Sequence, residues 1–393
     1  MRPVADLHSV AAVRRRASRR LPKPILDFVE GGADDEVTVE RNVEAFRQAV
    51  LVPRHGTGVR SARLARTVLG GELAVPVLFA PCGGLPMVAP DGDLMATRAA
   101  GRAGTTFVLS AFSGTPVEEV VAASSGPVWF QTYLTGGRSG TEELLHRVRS
   151  AGCSGLMVTF DSTVSGNRER DVRHHLYQAA ALEPRGLLQV APHVIRHWPW
   201  LAAFRSSGLR PGVANVPGAG RGTVPTAEVA ALQQATPPTW ADLGWLRTVW
   251  DGPLVAKGIL TVEDARRAAD AGADGIVVSN HGGRQLDRAP ATLSVLPRIV
   301  AAVGGDVEVL VDGGIRRGSD VAVALAAGAR AVLIGRPYVY GLAAGGVAGA
   351  ARVVEILVAE LARTLVLLGA ESLDDLDASF SPVDAQRSRT GPQ

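Results

Sequence analysis

The chain has 393 residues, of which 46% are hydrophobic and 20% charged. This composition excludes a disordered or fibrous protein and allows one large domain or two small ones. The formal net charge of +3 is too small to predict nucleic-acid binding. Only two cysteines are present, Cys82 and Cys153, which excludes a disulfide scaffold and a cysteine-rich metal centre.

Neither the N-terminal segment nor the most apolar stretch predicts export or membrane insertion. Residues 1–20 contain an arginine cluster but lack the apolar core of a secretory signal. The stretch 341–370 is interrupted by Arg352, Glu355, Glu360 and Arg363. We therefore expect a cytoplasmic protein.

Short apolar runs bounded by Gly, Pro or Asp predict eight strands, and helical patterns lie between them. The predicted strands are Val77–Ala80, Thr106–Ala111, Val128–Tyr133, Leu156–Asp161, Leu254–Lys257, Ile276–Asn280, Val307–Asp312 and Ala331–Gly335. The runs are continuously apolar, as in parallel strands that are buried on both faces. Helices repeatedly end in Ala-Gly before the next strand, and no G-x-G-x-x-G follows the first strand. The pattern predicts an α/β protein with a (βα)8 TIM barrel.

The barrel is predicted to span residues 76–375. Residues 1–75 should form an N-terminal helical extension that packs on the barrel and covers its bottom. Residues 163–238, after the fourth strand, are too long for a simple connection and predict a lid or binding insertion. Residues 381–393 read as a disordered polar tail.

Polar side chains follow the predicted strands, and the C-terminal strand ends of such a barrel carry the catalytic groups. In chain order they are Ser110, Gln131, Tyr133, Thr159, Asp161, Lys257, Ser279, His281, Arg284 and Asp312. Their convergence on one rim predicts an active site.

The loops after the last two strands predict a phosphate site. They read DGGIRRGSD (312–320) and GRPYVYG (335–341). Glycines such as Gly314 and Gly335 let backbone N–H groups approach an anion, and Arg316 and Arg336 can hydrogen-bond it. The alternative is that DGG forms only a tight turn.

Lys257 is one of only two lysines, with Lys23, in a chain that otherwise uses arginine. It can stabilise negative charge on a bound cofactor, form a Schiff base, or make a buried salt bridge to Asp312 or Asp161. We favour charge stabilisation, since an anionic reduced flavin beside the phosphate loops needs a fixed cation.

His281 is the natural general base, because an ordinary histidine titrates near neutral pH. Asp161 can orient or stabilise its imidazolium, and Tyr133 can hydrogen-bond a substrate oxygen. Arg284 and Arg168 are suited to gripping a carboxylate, although Arg168 can equally belong to a solvated face.

Several motifs closely resemble the FMN-dependent α-hydroxy-acid oxidases and dehydrogenases, which include enzymes that oxidise glycolate, lactate and mandelate. The most specific is SNHGGRQLD (279–287). It is followed by VDGGIRRGSDV (311–321) and IGRPYVYGLAA (334–344), and the match spans roughly residues 15–375. The resemblance implies that this protein oxidises a 2-hydroxy acid to a 2-oxo acid and passes the electrons to oxygen, a quinone or a redox protein.

The resemblance also implies roles for individual residues. His281 would be the base supported by Asp161, Arg284 and Arg168 would bind the carboxylate, and Tyr133 the hydroxyl or carbonyl oxygen. Asp312 would hold the ribityl chain. Lys257 would face the N1–C2 carbonyl edge of the flavin. The remaining contacts to FMN would come from Ala80, Pro81, Cys82, Gly83, Ser110, Gln131, Thr159, Ser279, Gly314, Arg316, Gly335 and Arg336. We expect a homotetramer.

Three features depart from the common pattern. Phe28 replaces the usual tyrosine beside the substrate carboxylate, which favours a bulkier or aryl substrate. Gly83 replaces the alanine of many oxidases and is more typical of dehydrogenase or monooxygenase members. The segments HWPW (197–200), GVANVPG (212–218) and TPPTWADLGWLR (236–247) resemble the flavoenzyme of the mycofactocin pathway, which oxidises a ribosomal-peptide-derived intermediate. Arg284 argues for a small carboxylate instead.

Other readings remain. The apolar segment 187–204 allows contact with a membrane interface, as in membrane-associated mandelate dehydrogenases, but we favour a substrate lid. A Schiff-base aldolase using Lys257 and a flavin-binding protein without enzymatic activity are alternatives of other classes.

Overall fold

The computed structural model describes residues 3–175, 184–206, 212–219 and 222–381. Its strands are β1 Arg66–Val68, β2 Gly71–Leu73, β3 Val77–Phe79, β4 Phe107–Ser110, β5 Val128–Thr132, β6 Gly155–Thr159, β7 Leu254–Ile259, β8 Gly275–Val278, β9 Glu308–Val311 and β10 Ala331–Ile334. Its α-helices before β6 are α1 Val10–Ser18, α2 Lys23–Glu30, α3 Val37–Gln48, α4 Leu85–Val88, α5 Gly92–Arg102, α6 Val117–Ala122 and α7 Gly137–Ala151. After β6 come α8 Glu169–Arg173, α9 Pro184–Arg196, α10 Trp198–Ser206, α11 Thr226–Ala235, α12 Trp240–Val249, α13 Val262–Asp270, α14 Thr292–Val303, α15 Gly318–Ala326 and α16 Arg336–Leu368.

Strands β3 to β10 pair in parallel and close into a barrel, because β10 pairs with both β9 and β3. This confirms the predicted (βα)8 fold. The glycines of the recurrent Ala-Gly junctions, Gly104, Gly152, Gly272 and Gly328, have φ between 64° and 97°. A side chain is strained in that region, so glycine ends each helix and turns the chain into the next strand.

The barrel interior is filled by apolar side chains from alternate strand positions, among them Leu78, Met157 and Leu310. The β1–β2 hairpin covers the N-terminal end. There Leu69 packs beside Gly275, and its backbone N–H donates to Glu308 at 2.9 Å. The packed interior leaves the opposite end, where the strands finish, for chemistry.

The sequence predicts that the N-terminal extension covers the bottom of the barrel, but only part of the extension does so. Its hairpin lies there, but α2 and α3 lie at the catalytic end. Asn42 of α3 exchanges two side-chain hydrogen bonds of 2.8 Å with Asn280, and the Ala33 N–H donates to the Gly283 carbonyl at 2.9 Å. The difference arises because the turn at residues 280–283 offers polar groups that bind the extension. A pattern of apolar residues in the sequence does not reveal such contacts.

The insertion after β6 also lies at the catalytic end where it is described. Gln233 of α11 donates to the Ser162 carbonyl at 2.8 Å, and the Trp200 indole of α10 donates to the Met87 carbonyl at 3.0 Å. Leu188, Ile195 and Trp198 are exposed along α9 and α10. Of the predicted tail 381–393, Ser381 is buried, and residues 382–393 lie outside the described part.

Helix α16 is long and apolar enough to cross a membrane by length and composition alone. Its backbone leaves helical geometry at Gly345 and Gly346, so it consists of two helices joined at a kink. Leu357, Leu361 and Leu365 are fully buried against the fold. These features identify it as the eighth helix of the barrel, which packs against α1, α5 and α15.

The packing of α16 predicts a large effect on stability for one leucine and almost none for another that lies two residues away. Leu365 is 0% exposed and Leu367 is 67% exposed. We expect Leu365→Ala to lower the free energy of unfolding by about 2–5 kcal/mol, because it leaves a cavity. The control Leu367→Ala should change it by less than about 0.5 kcal/mol. Urea unfolding followed by circular dichroism measures both, and equal effects would contradict this packing.

Candidate functional site

Four ionisable side chains from separate strand ends meet at the C-terminal end of the barrel. Lys257 lies on β7, and Asp312 directly follows β9. Asp161 follows β6 by two residues, and His281 follows β8 by three. The closed barrel places these ends on one rim, as predicted.

Lys257 and Asp312 form an ion pair inside the barrel mouth. The Lys257 Nζ lies 3.1 Å from Asp312 Oδ2 and donates to Ser279 Oγ at 2.7 Å. Burial alone would lower the pKa of Lys257, but the charges of Asp312 and Asp161 outweigh it and raise this pKa above its ordinary value. The amine therefore stays an ammonium at neutral pH.

His281 and Asp161 form a second pair. The His281 Nδ1 lies 2.9 Å from Asp161 Oδ1 and 3.4 Å from Ser162 Oγ. Burial holds the pKa of His281 below its ordinary value even though Asp161 raises it, and Lys257 and Arg168 lower it further. Burial would raise the pKa of Asp161, yet His281 and Lys257 hold it below its usual range. The resting pair is a neutral imidazole beside a carboxylate.

A glycine in β7 allows this close arrangement. The register of β7 against β8 shifts between Lys257 and Ile259, and Gly258 between them has φ 101°. A Cβ at Gly258 would lie 2.8 Å from the Asp161 Cβ. The bulge therefore directs Lys257 into the mouth while leaving room for Asp161.

The ends of β4, β5 and β6 contribute uncharged polar groups. Ser110 pairs in register with Gln131, and the Ser110 hydroxyl donates to Gln131 Oε1 at 3.2 Å. Thr159 pairs in register with Lys257. Tyr133 is buried, and burial followed by repulsion from Asp161 raises the pKa of its phenol to about 12. It is a neutral hydrogen-bond donor at physiological pH.

Two arginines approach the site from its rim. The Arg284 Nη1 donates to the carbonyls of Phe28 (2.8 Å) and Gly31 (2.7 Å), and its guanidinium lies 5.2 Å from the Phe28 ring centre. Arg168 donates to Gln285 Oε1 at 3.4 Å. The structure thus brings both predicted carboxylate-binding arginines, and Phe28, to the same side.

The two predicted phosphate-binding arginines are partly buried beside backbone carbonyls. Arg336, at the start of α16, donates to the carbonyls of Val29, Gly31 and Gly282 at 2.8–3.1 Å. Arg316 donates to the Ile315 carbonyl at 2.8 Å. Burial lowers the pKa of both guanidiniums. Among the described residues no carboxylate forms an ion pair with Arg316 or Arg336. Gly314 and Gly335 lie in the two predicted phosphate-binding loops, 312–320 and 335–341.

The segment after β3 completes the site. The Ala80 carbonyl accepts a 3.0 Å hydrogen bond from the buried Tyr338 hydroxyl. Pro81 and Cys82 follow, and the Cys82 sulfur lies 3.4 Å from where a Cβ on Gly335 would stand. A Cβ on Gly83 would lie 2.8 Å from Phe112, so the residues around the barrel mouth are closely packed at this point.

Two contributors were missed by the sequence analysis. Ser162 contacts both members of the His281–Asp161 pair, and its position directly after Asp161 was an available signal. Gln285 donates to the carbonyls of Asp161 (3.2 Å) and Val164 (3.0 Å) and also contacts Arg168. It lies inside the NHGGRQLD motif, but only the fold shows that it connects the two loops.

Comparisons with known proteins identify the family. Residues 17–381 match the family described as FMN-dependent dehydrogenase. The pre-mycofactocin synthase of Mycobacterium tuberculosis is 42% identical, over 97% of this chain and 94% of its own length. The L-lactate oxidase of a Nostoc species is also 42% identical, over 93% of this chain and 95% of its own.

A solved structure gives the same result for the fold. The crystal structure of the monotopic membrane protein (S)-mandelate dehydrogenase superposes with a TM-score of 0.88 at 36% identity, and the match covers 96% of this chain and 99% of that one. The chain therefore belongs to the FMN-dependent dehydrogenases, an oxidoreductase family with FMN as cofactor and hydroxy-acid oxidases among its members.

Proposed function

We propose that this enzyme oxidises a 2-hydroxy acid with a bulky or aryl substituent to the 2-oxo acid, with His281 as the base. The observation that carries the proposal is the partly buried His281–Asp161 pair next to the Lys257 ammonium. A base, a neutral phenol and two arginines for a carboxylate then lie together at the barrel mouth.

The residues of the mouth fit FMN. Asp312 Oδ1 is buried without a hydrogen-bond partner among the described residues, which suits a ribityl hydroxyl as donor. Arg316, Arg336 and the glycine-rich backbone at Gly314 and Gly335 suit a phosphate dianion, because neither guanidinium is paired with a described carboxylate. When bound, FMN supplies a two-electron acceptor at N5.

The isoalloxazine ring would meet the polar groups of the strand ends. The residues assigned to it are Ala80, Pro81, Cys82, Gly83, Ser110, Gln131, Thr159, Lys257 and Ser279. Lys257 stays charged because Asp312 and Asp161 outweigh its burial. A fixed ammonium favours negative charge that develops near it, and this is the electrostatic contribution we assign to Lys257.

His281 would accept the substrate proton at Nε2, since Nδ1 faces Asp161. The depressed pKa of His281 keeps the imidazole neutral and ready to act at physiological pH. The carboxylate of Asp161 would stabilise the imidazolium once the proton has moved. Tyr133 would donate its hydroxyl hydrogen to the substrate oxygen.

The substrate carboxylate is assigned to Arg284 and Arg168. Phe28 offers no hydroxyl here, and the guanidinium of Arg284 lies over its ring. The face of the Phe28 ring contacts the guanidinium of Arg284, and the ring leaves an apolar surface beside it. The arrangement favours a substrate with a large apolar substituent over glycolate.

A second candidate is oxidation of a ribosomal-peptide-derived intermediate. The 42% identity to pre-mycofactocin synthase, spread over 97% of the chain, favours it. Both candidates use FMN and the same base, and they differ in what the insertion 163–238 must admit. In both, electrons pass on to oxygen, a quinone or a redox protein.

The test is anaerobic addition of lactate, glycolate and both mandelate enantiomers to the purified yellow holoenzyme. We expect a mandelate-like acid to bleach the flavin absorbance, and His281→Ala to stay yellow but unbleached with the same acid. Readmitting air then shows by the rate of colour return whether oxygen is the acceptor. Bleaching by a mycofactocin-type peptide and by none of the acids would establish the second candidate. Full turnover by His281→Ala would show that His281 is not the base.

The pKa of His281 predicts the pH profile of the reaction. Because this pKa is depressed, kcat/KM should fall only as the pH drops below about 6.5, the ordinary histidine value. Asp161→Asn removes a charge that raises the pKa, so the acid limb should move to lower pH. The rate should also fall roughly a hundredfold, because the imidazolium loses its partner. Steady-state rates from pH 5 to 9 measure this, with the exposed Asp251→Asn as control. A limb that moves to higher pH would contradict the assignment.

The phosphate assignment predicts a difference between neighbouring arginines. Arg316→Met should weaken FMN binding about 10- to 100-fold, because a charged hydrogen bond to the phosphate is lost. Arg317 is exposed and pairs with Glu360 at 2.6 Å, so Arg317→Met should leave the affinity unchanged. Quenching of FMN fluorescence on titration with apoprotein gives both dissociation constants. Equal values for the two variants would exclude Arg316 from the phosphate site.

A further inference from the structure

A buried carboxylate outside the predicted site holds the segment that carries Arg168. Asp27 of α2 is only 3% exposed and directly precedes Phe28. Three groups converge on it: Lys23 of its own helix, Arg170 Nη1 at 3.3 Å and His174 Nε2 at 2.8 Å. Arg170 and His174 both belong to residues 168–175, so the N-terminal extension is fastened to the loop after β6.

Arg170 has a second anchor in the extension. Another of its nitrogens donates to Glu36, whose Oε1 accepts a 3.1 Å hydrogen bond from the Gly32 N–H. A Cβ on Gly31 would lie 3.4 Å from the Arg170 side chain, so the arginine packs directly on this turn. The carbonyl of Gly31 is the one that accepts from Arg284.

We propose that Asp27, Glu36, Arg170 and His174 form a clasp that positions Arg168 and Arg284 for the substrate carboxylate, with Asp27 as its central positioning residue. The inference rests on the proposed function, because it concerns the arginines assigned to the substrate. Both oxygens of Asp27 are engaged by the clasp. Asp27 therefore acts through other residues and not by contact with substrate.

The clasp depends on the negative charge of Asp27, which attracts Arg170. Burial would raise the pKa of this carboxyl, but hydrogen bonds from Lys23 and His174, with the charge of Arg170, keep it below its usual range. Replacing the carboxylate by an amide keeps the shape of the side chain. It removes the negative charge that attracts Arg170 and replaces one of the two oxygens that bind the loop, so Arg168 loses its fixed position while the barrel is unchanged.

The experiment compares Asp27→Asn with Asp35→Asn in the FMN holoenzyme. Asp35 lies in the same extension but is exposed and faces the exposed Arg288 at 3.7 Å. With the acid that bleaches the wild-type enzyme, we expect Asp27→Asn to raise KM about tenfold or more, with kcat kept within about threefold. FMN content should be unchanged, and Asp35→Asn should match the wild type.

A double variant separates positioning from a general structural effect. In an Arg168→Met background the clasp has lost one of the arginines it positions, so Asp27→Asn should raise KM by clearly less than in the wild-type background. The same tenfold rise in both backgrounds, or no rise in either, would overturn the proposal.

Limited trypsin digestion tests the clasp without any substrate. Cleavage within residues 168–175 should be faster in Asp27→Asn and in His174→Gln than in the wild type and Asp35→Asn. His174→Gln keeps the test available if Asp27→Asn does not fold. Unchanged cleavage would overturn the clasp. Faster cleavage in an enzyme that oxidises no 2-hydroxy acid would support the clasp as a fastening of the loop and refute the proposed function.

Discussion

The arrangement of the site depends on one buried ammonium. Lys257 enters an otherwise apolar barrel, and burying a charge is costly unless opposite charges surround it. Asp312 lies 3.1 Å away, and the charge of Asp161 also stabilises the ammonium. Two carboxylates around one ammonium leave a surplus of negative charge, and this surplus makes Asp161 a partner for the imidazolium of His281. The lysine thus acts on the base through Asp161, and it also lowers the pKa of His281 directly.

The barrel supplies this charged centre, but segments outside it supply the binding groups. The carbonyls of residues 28–31, at the end of α2, receive hydrogen bonds from Arg284 and Arg336. The C-terminal end of a helix carries partial negative charge, which suits two guanidiniums. Asp287 in turn accepts hydrogen bonds from the N–H groups of Val37 and Thr38 at the start of α3. The extension and the loop after β8 therefore stabilise each other's position.

Much of this was predictable from the sequence, because the barrel strands appear as short, uninterrupted apolar runs. Strands buried on both faces are continuously apolar, and polar residues that interrupt them at the end are therefore conspicuous, as with Lys257 and Asp312. The bulge at Gly258 was not predictable, since the need for glycine arises from Asp161, far away in sequence. The clasp around Asp27 was missed for the same reason. Arg170 reads as one arginine in a charged segment until the fold places it against α2.

The same electrostatics favour charge stabilisation by Lys257 over Schiff-base formation, two of the three uses that the sequence left open. A Schiff base needs a neutral amine to attack a carbonyl, and such lysines have a depressed pKa. Here Asp312 and Asp161 raise the pKa of Lys257 against the effect of burial. Ser279 accepts a further hydrogen bond from the ammonium, and so its three N–H donors have fixed directions. A charge held in this way is suited to stabilising an anion across reduction and reoxidation, whereas a nucleophile would have to leave the pair first.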